Sequence, residues 1–358
     1  MKPLLALAFL AAFAQPLAAQ RPTTAADVRR LLYPLADDSM AGRMTGSPGE
    51  ARAARVIAAE MQRAGLKPLG DSGYFQRVAV AAVPLAAPSR SGRTERLVLL
   101  KSLADLDTVP AERRRPAVNV VGVIEGSDPT LKSEVVLVDA HFDHVGVGRA
   151  INGDSIYNGA DDDASGVVAV LEIARQLSAG PSPKRTVLFA TTTGEEVGLI
   201  GTRWFIDHPP VPLSQFVANL EIEMIGRPDS LAGGAGRAWL TGYERSTLGD
   251  ALAQAGLPIV PDKRPDQHFF ERSDNIAFAR RGIVAHTVSS FNLHTDYHQP
   301  SDDVKGMDLE HMAAVINAAA SATRLLADGP KPEWKPGGAP TAPAPRVPVA
   351  APPKPPTE

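Results

Sequence analysis

The sequence predicts a three-layer α/β/α sandwich built around a central, largely parallel but mixed sheet. Apolar runs of strand length at residues 119–124, 135–140, 186–191 and 216–225 enclose a helical pattern at 164–177. Alternating strands and helices are typical of α/β folds, because each helix returns the chain across one face of the sheet. A hydrophobic fraction of 44% and a charged fraction of 22% suit a globular protein with a sizeable core.

Two amphipathic helices are predicted ahead of the sheet. The first covers residues 25–32 and should stop before Pro34, and the second covers 49–64 and ends at Gly65. Residues 83–116 are the least regular stretch and predict a loop or a small hairpin. The chain has no internal repeat, and its length leaves no room for a separate inserted domain.

The two ends of the chain differ from the middle. Residues 1–19 have the features of a signal peptide, with Lys2 ahead of an apolar run at 4–13, and predict a periplasmic or secreted protein. That run is short for a bilayer span, so no integral membrane span is expected after cleavage. Residues 329–358 are rich in Pro and Ala and predict a disordered tail. This leaves 20–328 as a single domain.

Charge and cysteine content limit the possible functions. A net charge of −3 and a pI near 6.3 give no electrostatic basis for binding nucleic acid or an anionic membrane. The sequence contains no cysteine. Disulfides and thiolate chemistry are thereby excluded, and any metal ion must be held by histidines and carboxylates.

Acidic and imidazole side chains follow the predicted strand ends. Ligands of such sheets bind beyond the carboxyl ends of the strands, so these side chains should converge on one edge. Carboxylates gathered there repel one another unless cations neutralise them. Without cysteine, zinc is the first candidate ion. The residues concerned are His141, Asp143, Asp161, Asp162, Asp163, Glu195, Glu196 and Glu223.

Four sequence strings occur in this order: VVLVDAHFDHVGVG, NGADDDASGVVAVLEIARQL, RTVLFATTTGEEVGLIGTRWF and YHQPSDD. Together they resemble the di-zinc aminopeptidase family, which includes bacterial leucyl aminopeptidases, aminopeptidase Y and glutamate carboxypeptidase II. The resemblance extends from about residue 31 to 326. It implies a fold of the zinc-exopeptidase type, two Zn²⁺ ions and peptide substrates.

The resemblance also implies a set of metal ligands. Asp162 would bridge both ions. His141 and Glu223 are assigned to one ion, and His298 and Glu196 to the other. Glu223 departs from the family pattern, which usually has Asp there, and Glu221 is a rival ligand because it lies two residues earlier on the same strand face.

Further roles follow from the same motifs. Glu195 would be the general base, and Asp143 would support His141 from behind. Tyr297 would donate a hydrogen bond to the developing oxyanion, and Asp302 would orient His298. The remaining histidines, His144 among them, are interpreted as ordinary surface or core residues.

The leading functional hypothesis is an aminopeptidase. A free α-ammonium group beside the metals is favoured by the acidic surplus around Asp161, Asp163, Glu221 and Glu223. The alternatives are a carboxypeptidase or dipeptidase of the same family, a single-zinc enzyme like glutaminyl cyclase, and a catalytically inactive binding homologue. The oligomeric state is not predicted.

Overall fold

A computed structural model describes residues 21–87 and 94–341 of the chain. The signal peptide predicted for residues 1–19 therefore lies outside the described residues, as does 342–358 of the predicted tail. Within the described ranges the chain forms one ten-stranded sheet, a separate two-stranded hairpin and seven α-helices.

The sheet has the order β11-β10-β12-β9-β5-β8-β4-β2-β3, with β1 paired to β4. Its four central strands, β12, β9, β5 and β8, are parallel to one another. Antiparallel pairing begins at β4 on one side and at β10 on the other. The strands are β1 Lys67–Pro68, β2 Phe75–Pro84, β3 Glu95–Leu99, β4 Arg114–Ile124, β5 Val135–His141, β6 Gly146–Ile151, β7 Asp154–Tyr157, β8 Thr186–Thr192, β9 Phe216–Ile222, β10 Ala238–Leu240, β11 Ile259–Pro261 and β12 Val284–Ser289.

Helices cover both faces of this sheet and complete the predicted three layers. Helices α1, α2, α3, α5 and α7 contribute to the larger apolar core on one face, and α4 and α6 contribute to the core on the other. The mixed α/β fold expected from the sequence is thereby confirmed. The helices are α1 Ala25–Leu35, α2 Pro48–Arg63, α3 Gly166–Ala179, α4 Ile200–Asp207, α5 Thr247–Gln254, α6 Asn275–Ala279 and α7 Leu309–Asp328.

Burial explains why the central strands read as continuous apolar runs. All seven residues of β5 and all seven of β9 are buried, because helices cover both sides. Helix α3 approaches β9 closely at Gly166, where an added Cβ would lie 2.1 Å from the carbonyl oxygen of Ile222. Only glycine fits that contact, which brings the start of α3 against the end of β9.

Several boundaries differ from those predicted. Helix α1 continues through Pro34 to Leu35, because Pro34 falls in its last turn and Leu35 is buried. Helix α3 begins two residues later than expected, after an irregular turn at Ala160–Ser165. The stretch 83–116, predicted as a loop or a small hairpin, contains the end of β2, strand β3 and the first residues of β4. Strands β2 and β3 pair antiparallel, as a hairpin would.

Packed structure continues past the predicted domain boundary at residue 328. The backbone around Trp334 bonds to that of Arg245 and Thr247, and the Trp334 indole donates a hydrogen bond to the carbonyl oxygen of Gly282. The ring also packs edge-on against Phe270, with centroids 6.2 Å apart. Residues 329–341 thus pack onto the domain. No helix in the described ranges is long and apolar enough to span a bilayer.

Truncating Trp334 tests this anchoring. Trp334→Ala should lower the free energy of unfolding by about 2 kcal/mol, since it removes part of a half-buried aromatic contact. Urea denaturation followed by circular dichroism measures the change. The matched control is Lys331→Ala, which alters an exposed residue of the same segment and should stay within about 0.5 kcal/mol of the parent. Equal midpoints for all three proteins would show that the segment adds nothing to stability.

Candidate active site

The predicted site residues meet at the carboxyl edge of the central strands. His141 is the last residue of β5, and Glu223 directly follows β9. Glu195 and Glu196 come shortly after β8. Asp162 lies in the irregular turn ahead of α3, and His298 lies in the loop after β12. The arrangement follows from parallel pairing, which brings the carboxyl ends of β5, β8 and β9 to the same edge.

Two groups of possible metal ligands share Asp162. One group contains His141, Asp162 and Glu223, and its ligand atoms lie within 4.8 Å of one another. The His141 Nε2 atom is 3.2 Å from Asp162 Oδ1. In the other group, His298 Nε2 lies 3.1 Å from both Asp162 Oδ2 and Glu196 Oε2. The geometry thus groups these side chains in the pairs that the sequence motifs suggested.

His144 joins the second group, although the sequence interpretation treated it as an ordinary histidine. Its side chain is buried, and its Nδ1 atom lies 2.8 Å from Glu196 Oε1. It follows His141 by three residues in the string HFDH. That spacing was the only signal in the sequence that His144 could be a ligand. Whether its ring faces the second group depends on the direction in which the loop turns after β5.

The donor set fits divalent ions. Atoms that could bind a metal are buried without hydrogen-bond partners, including His141 Nε2, Asp162 Oδ2 and His298 Nε2. Burial raises the pKa of Glu223 to about 8, with a further contribution from Glu221. Burial alone would lower the pKa of His298, but the carboxylates of Asp162 and Glu196 raise it to about 10. Buried negative charge of this kind accommodates cations.

Asp143 supports two residues of the site by different atoms. Its backbone carbonyl oxygen lies 3.1 Å from Nδ1 of His141, which leaves Nε2 facing the cluster. Its carboxylate accepts hydrogen bonds from the backbone N–H of Glu195 and from the hydroxyl of Thr45. Burial, with neighbouring Glu196 and Glu223, raises the pKa of Glu195 well above its usual value.

Glu221 is not available as a ligand. Its carboxylate accepts hydrogen bonds from the Ser273 and Thr287 hydroxyls and from the backbone N–H groups of Asp274 and Asn275. Four donors occupy its oxygens, and Glu223 alone of the two joins a ligand group.

Asp302 orients a different element from the one predicted. Its carboxylate accepts hydrogen bonds from the backbone N–H groups of Asp161 and Asp162, and so holds the turn that carries the shared ligand. The prediction that it orients His298 is wrong in this structure. Asp302 precedes α7 and reaches back to the start of α3, a contact between distant parts of the chain that sequence spacing does not reveal.

Asp161 and Asp163 face away from the cleft. Asp161 accepts a hydrogen bond from the backbone N–H of Gly226, and Asp163 accepts one from that of Met224. Both are fully buried. The acidic surplus that the sequence suggested around the cleft therefore excludes these two residues and Glu221, and among the four residues only Glu223 lines it.

Arg43 links the loop after β5 to the turn before α3, and both of these segments carry candidate metal ligands. Its buried guanidinium donates hydrogen bonds to the carbonyl oxygens of Phe142, next to His141, and of Asn158 and Gly159, which precede the Asp162 turn. A fourth bond goes to the carbonyl oxygen of Leu35 at the end of α1. Sequence reasoning did not single out Arg43, since a buried arginine looks like any surface arginine in a loop.

A small cleft opens beside the ligand groups. Asp162, Glu195 and Glu223 form its polar end. Trp239, Phe269, Phe291 and Met224 form an apolar end, in which the Trp239 and Phe269 rings stack with centroids 4.9 Å apart. Tyr297 lies between the two ends. Its ring stacks on that of His298, with centroids 3.9 Å apart.

An α/β/α sheet with two adjoining histidine–carboxylate groups and a nearby glutamate at its carboxyl edge is the arrangement of a zinc-dependent metallopeptidase. The family model for peptidase family M28 matches residues 119–323, and the chain belongs to that family.

Relatives and solved structures agree with this assignment. The chain is 28% identical over 196 residues to a vacuolar membrane protease of Botryotinia fuckeliana, a match covering 53% of this chain and 17% of the relative. It is 27% identical over 251 residues to a probable leucine aminopeptidase 2 of Aspergillus oryzae, covering 61% of this chain and 46% of that protein. A zinc aminopeptidase from Bacillus subtilis shares the fold, with a TM-score of 0.61, 15% identity, and coverage of 87% and 96%. The chain thus spans less than half the length of these two curated relatives.

The predicted periplasmic or secreted location is wrong on these findings. Several curated relatives are named as vacuolar membrane proteases of fungi, including those of Sclerotinia sclerotiorum and Candida tropicalis. These names point away from the periplasm and from secretion.

Removing the Arg43 guanidinium should destabilise the segments that carry the candidate metal ligands. Arg43→Met is expected to lower the free energy of unfolding by about 3 kcal/mol or more, because each hydrogen bond from a charged donor contributes about 1.5–3 kcal/mol. Urea denaturation of the metal-free protein measures this. Arg55→Met, at an exposed position on α2, is the control and should change stability by less than about 0.5 kcal/mol. Similar small effects for both variants would contradict a fastening role for Arg43.

Proposed function

We propose that the protein is a di-zinc aminopeptidase that removes N-terminal residues from peptides. The observation that carries this proposal is the sharing of Asp162 between two adjoining ligand groups. A carboxylate that offers one oxygen to each group is what a two-metal site requires, and the two groups would hold one ion each. His141 and Glu223 would hold one ion, and Glu196 and His298 would hold the other. Zinc bound there lowers the pKa of a coordinated water and polarises the scissile carbonyl.

Glu195 is the proposed general base. It lines the cleft without belonging to either ligand group, so its carboxylate is free to take a proton. It accepts the proton of the attacking water and returns it to the leaving amine. The bond from its backbone N–H to Asp143 fixes the position from which it acts.

Tyr297 is the proposed donor to the oxyanion. Burial, together with the carboxylates of Asp162 and Glu196, raises the pKa of its hydroxyl, which therefore stays protonated at neutral pH. Stacking on His298 holds the ring beside the ligand groups. A protonated hydroxyl in that position stabilises negative charge on the carbonyl oxygen as the tetrahedral intermediate forms.

The polarity of the cleft supports removal from the amino end. The cleft is lined by Asp162, Glu195 and Glu223, and of these only Glu195 belongs to neither ligand group. Its negative charge favours the α-ammonium of a free N-terminus beside the metals. The aromatic end, built from Trp239 and Phe269, suits a large apolar side chain on the first residue.

One feature of the cleft favours a second candidate, a carboxypeptidase or dipeptidase. Arg272 lines the cleft with its guanidinium over the Phe269 ring, and it could bind a terminal carboxylate. Arg227 is instead paired with Asp296, with Nη1 and Oδ2 2.5 Å apart. Arg281 pairs with Asp207 at 3.0 Å.

Full activity should require two ions per chain. Chelation is expected to abolish turnover, and zinc should restore it at two equivalents, measured by metal analysis alongside hydrolysis. Glu223→Ala should retain one ion and lose most activity. Glu221→Ala is its control: it breaks a buried hydrogen-bond network, so it should lower stability while the folded fraction still binds two ions. Full hydrolytic activity with a single ion would overturn the two-metal proposal, and one bound ion without hydrolysis would favour a cyclase-like enzyme.

Glu195→Gln should lower kcat by several orders of magnitude and leave the zinc content unchanged, because an amide cannot accept the proton. Glu196→Gln is the matched comparison, since the adjacent residue is proposed to be a ligand and its change should deplete zinc. Steady-state kinetics and metal analysis on both proteins give the answer. If Glu195→Gln loses zinc and Glu196→Gln keeps it, the two roles are exchanged.

Paired substrates decide which end is cleaved. Leucine p-nitroanilide should be hydrolysed and its N-acetylated counterpart should not, because acetylation removes the positive charge that the acidic end of the cleft accommodates. Release of nitroaniline reports both reactions. N-blocked peptides provide the converse assay, followed by mass spectrometry. Equal hydrolysis of the two anilides, or shortening of blocked peptides from their carboxyl ends, would refute the aminopeptidase proposal.

A further inference from the structure

His144 is a buried imidazole beside the second ligand group. Its side chain has no exposed surface, and neither ring nitrogen has a hydrogen-bond partner of acceptable geometry among the described residues. Its Nδ1 atom lies 2.8 Å from Glu196 Oε1 and 3.8 Å from Asp162 Oδ2. The ring meets that of His298 edge-on, with centroids 5.5 Å apart.

Two other buried histidines of this protein are fully bonded. His286 lies between the Ser246 hydroxyl and the Thr241 carbonyl oxygen, each at 2.7 Å. His311 contacts the Ser290 hydroxyl and accepts a hydrogen bond from the backbone N–H of Gly236. Burying a polar group without a hydrogen-bond partner costs free energy. His144 has two such nitrogens, so its position requires an explanation.

The position of the ring supplies that explanation. With His144 included, the second group offers four ligand atoms from His144, Asp162, Glu196 and His298, whereas the first offers three. Four protein ligands complete a tetrahedral zinc site, and three leave a position open for water.

We propose that His144 is the fourth ligand of the ion held by Asp162, Glu196 and His298, and that this position binds zinc more tightly and fills first. The inference rests on the proposed two-zinc function and adds to it that the two ions are unequal. The ion on the side of His141 and Glu223, with three protein ligands, keeps the open position. His144 thereby separates a closed site from an open one within a single centre.

X-ray absorption on the unmodified chain tests the ligand directly. Metal-free protein is loaded with one equivalent of zinc, and the imidazoles around the ion are counted by extended fine structure. The proposal predicts two imidazoles, from His144 and His298. One imidazole would overturn it, and would mean that His144 only donates a hydrogen bond to the oxygen of Glu196 that the metal does not use.

Zinc affinity of variants provides a second measurement that needs no peptide. In competition with a chelator, His144→Ala and His144→Asn should weaken binding of the first zinc by about 100-fold or more, beyond the effect usual for a residue behind a ligand. Binding of the second zinc should change much less. His208→Ala, which removes an exposed imidazole at the end of α4, is the control and should bind both ions as the parent does. Unchanged affinity for the first zinc in both His144 variants would overturn the proposal.

The failure of this inference differs from that of the proposed function. If the parent binds two ions of equal affinity and still removes N-terminal residues, the assignment of His144 is wrong and the peptidase proposal stands. If the parent binds no zinc in either position, both are wrong.

Discussion

Repulsion among buried carboxylates is the physical constraint on which the rest of this structure depends. Parallel strands bring Glu195, Glu196 and Glu223 to one edge of the sheet, and the turn before α3 adds Asp162. Directly behind this edge, burial and the nearby Glu221 raise the pKa of Asp274 to about 7. The fold satisfies the supporting acids with protein donors, as the four hydrogen bonds to Glu221 illustrate. The acids of the edge itself are left for cations.

This difference between hydrogen-bonded and metal-binding acids explains why neighbouring aspartates in one motif have different roles. In the run of three aspartates, Asp161 and Asp163 accept backbone hydrogen bonds from residues after β9, and Asp162 alone faces the ligand groups. The outer two thus tie the turn before α3 to the loop that carries Glu223. Arg43 ties the same turn to the end of β5. Ligands from distant parts of the chain are thus held in register by hydrogen bonds between these three side chains and main-chain atoms.

The sequence was sufficient for the fold class and for the convergence of the main site residues, because both follow from strand order and the rule that strand ends meet. His141 and Glu223 adjoin strand ends, where position is set by the sheet. Residues whose orientation depends on loops were less accessible. His144 was misjudged because the loop after β5 sets its direction, and the partner of Asp302 lies about 140 positions earlier. The two short strands β10 and β11 at one end of the sheet were missed, since three residues carry too little pattern to be recognised.

The segment around Trp334 has a consequence for the order in which the domain folds during synthesis. Its indole packs on Phe270, whose neighbour Phe269 forms part of the apolar wall of the cleft. Chains are synthesised from the amino end, so this contact is among the last that the domain can make, after every residue of the two ligand groups has left the ribosome. The packing around Phe270 is therefore completed only once the segment beyond α7 has been synthesised.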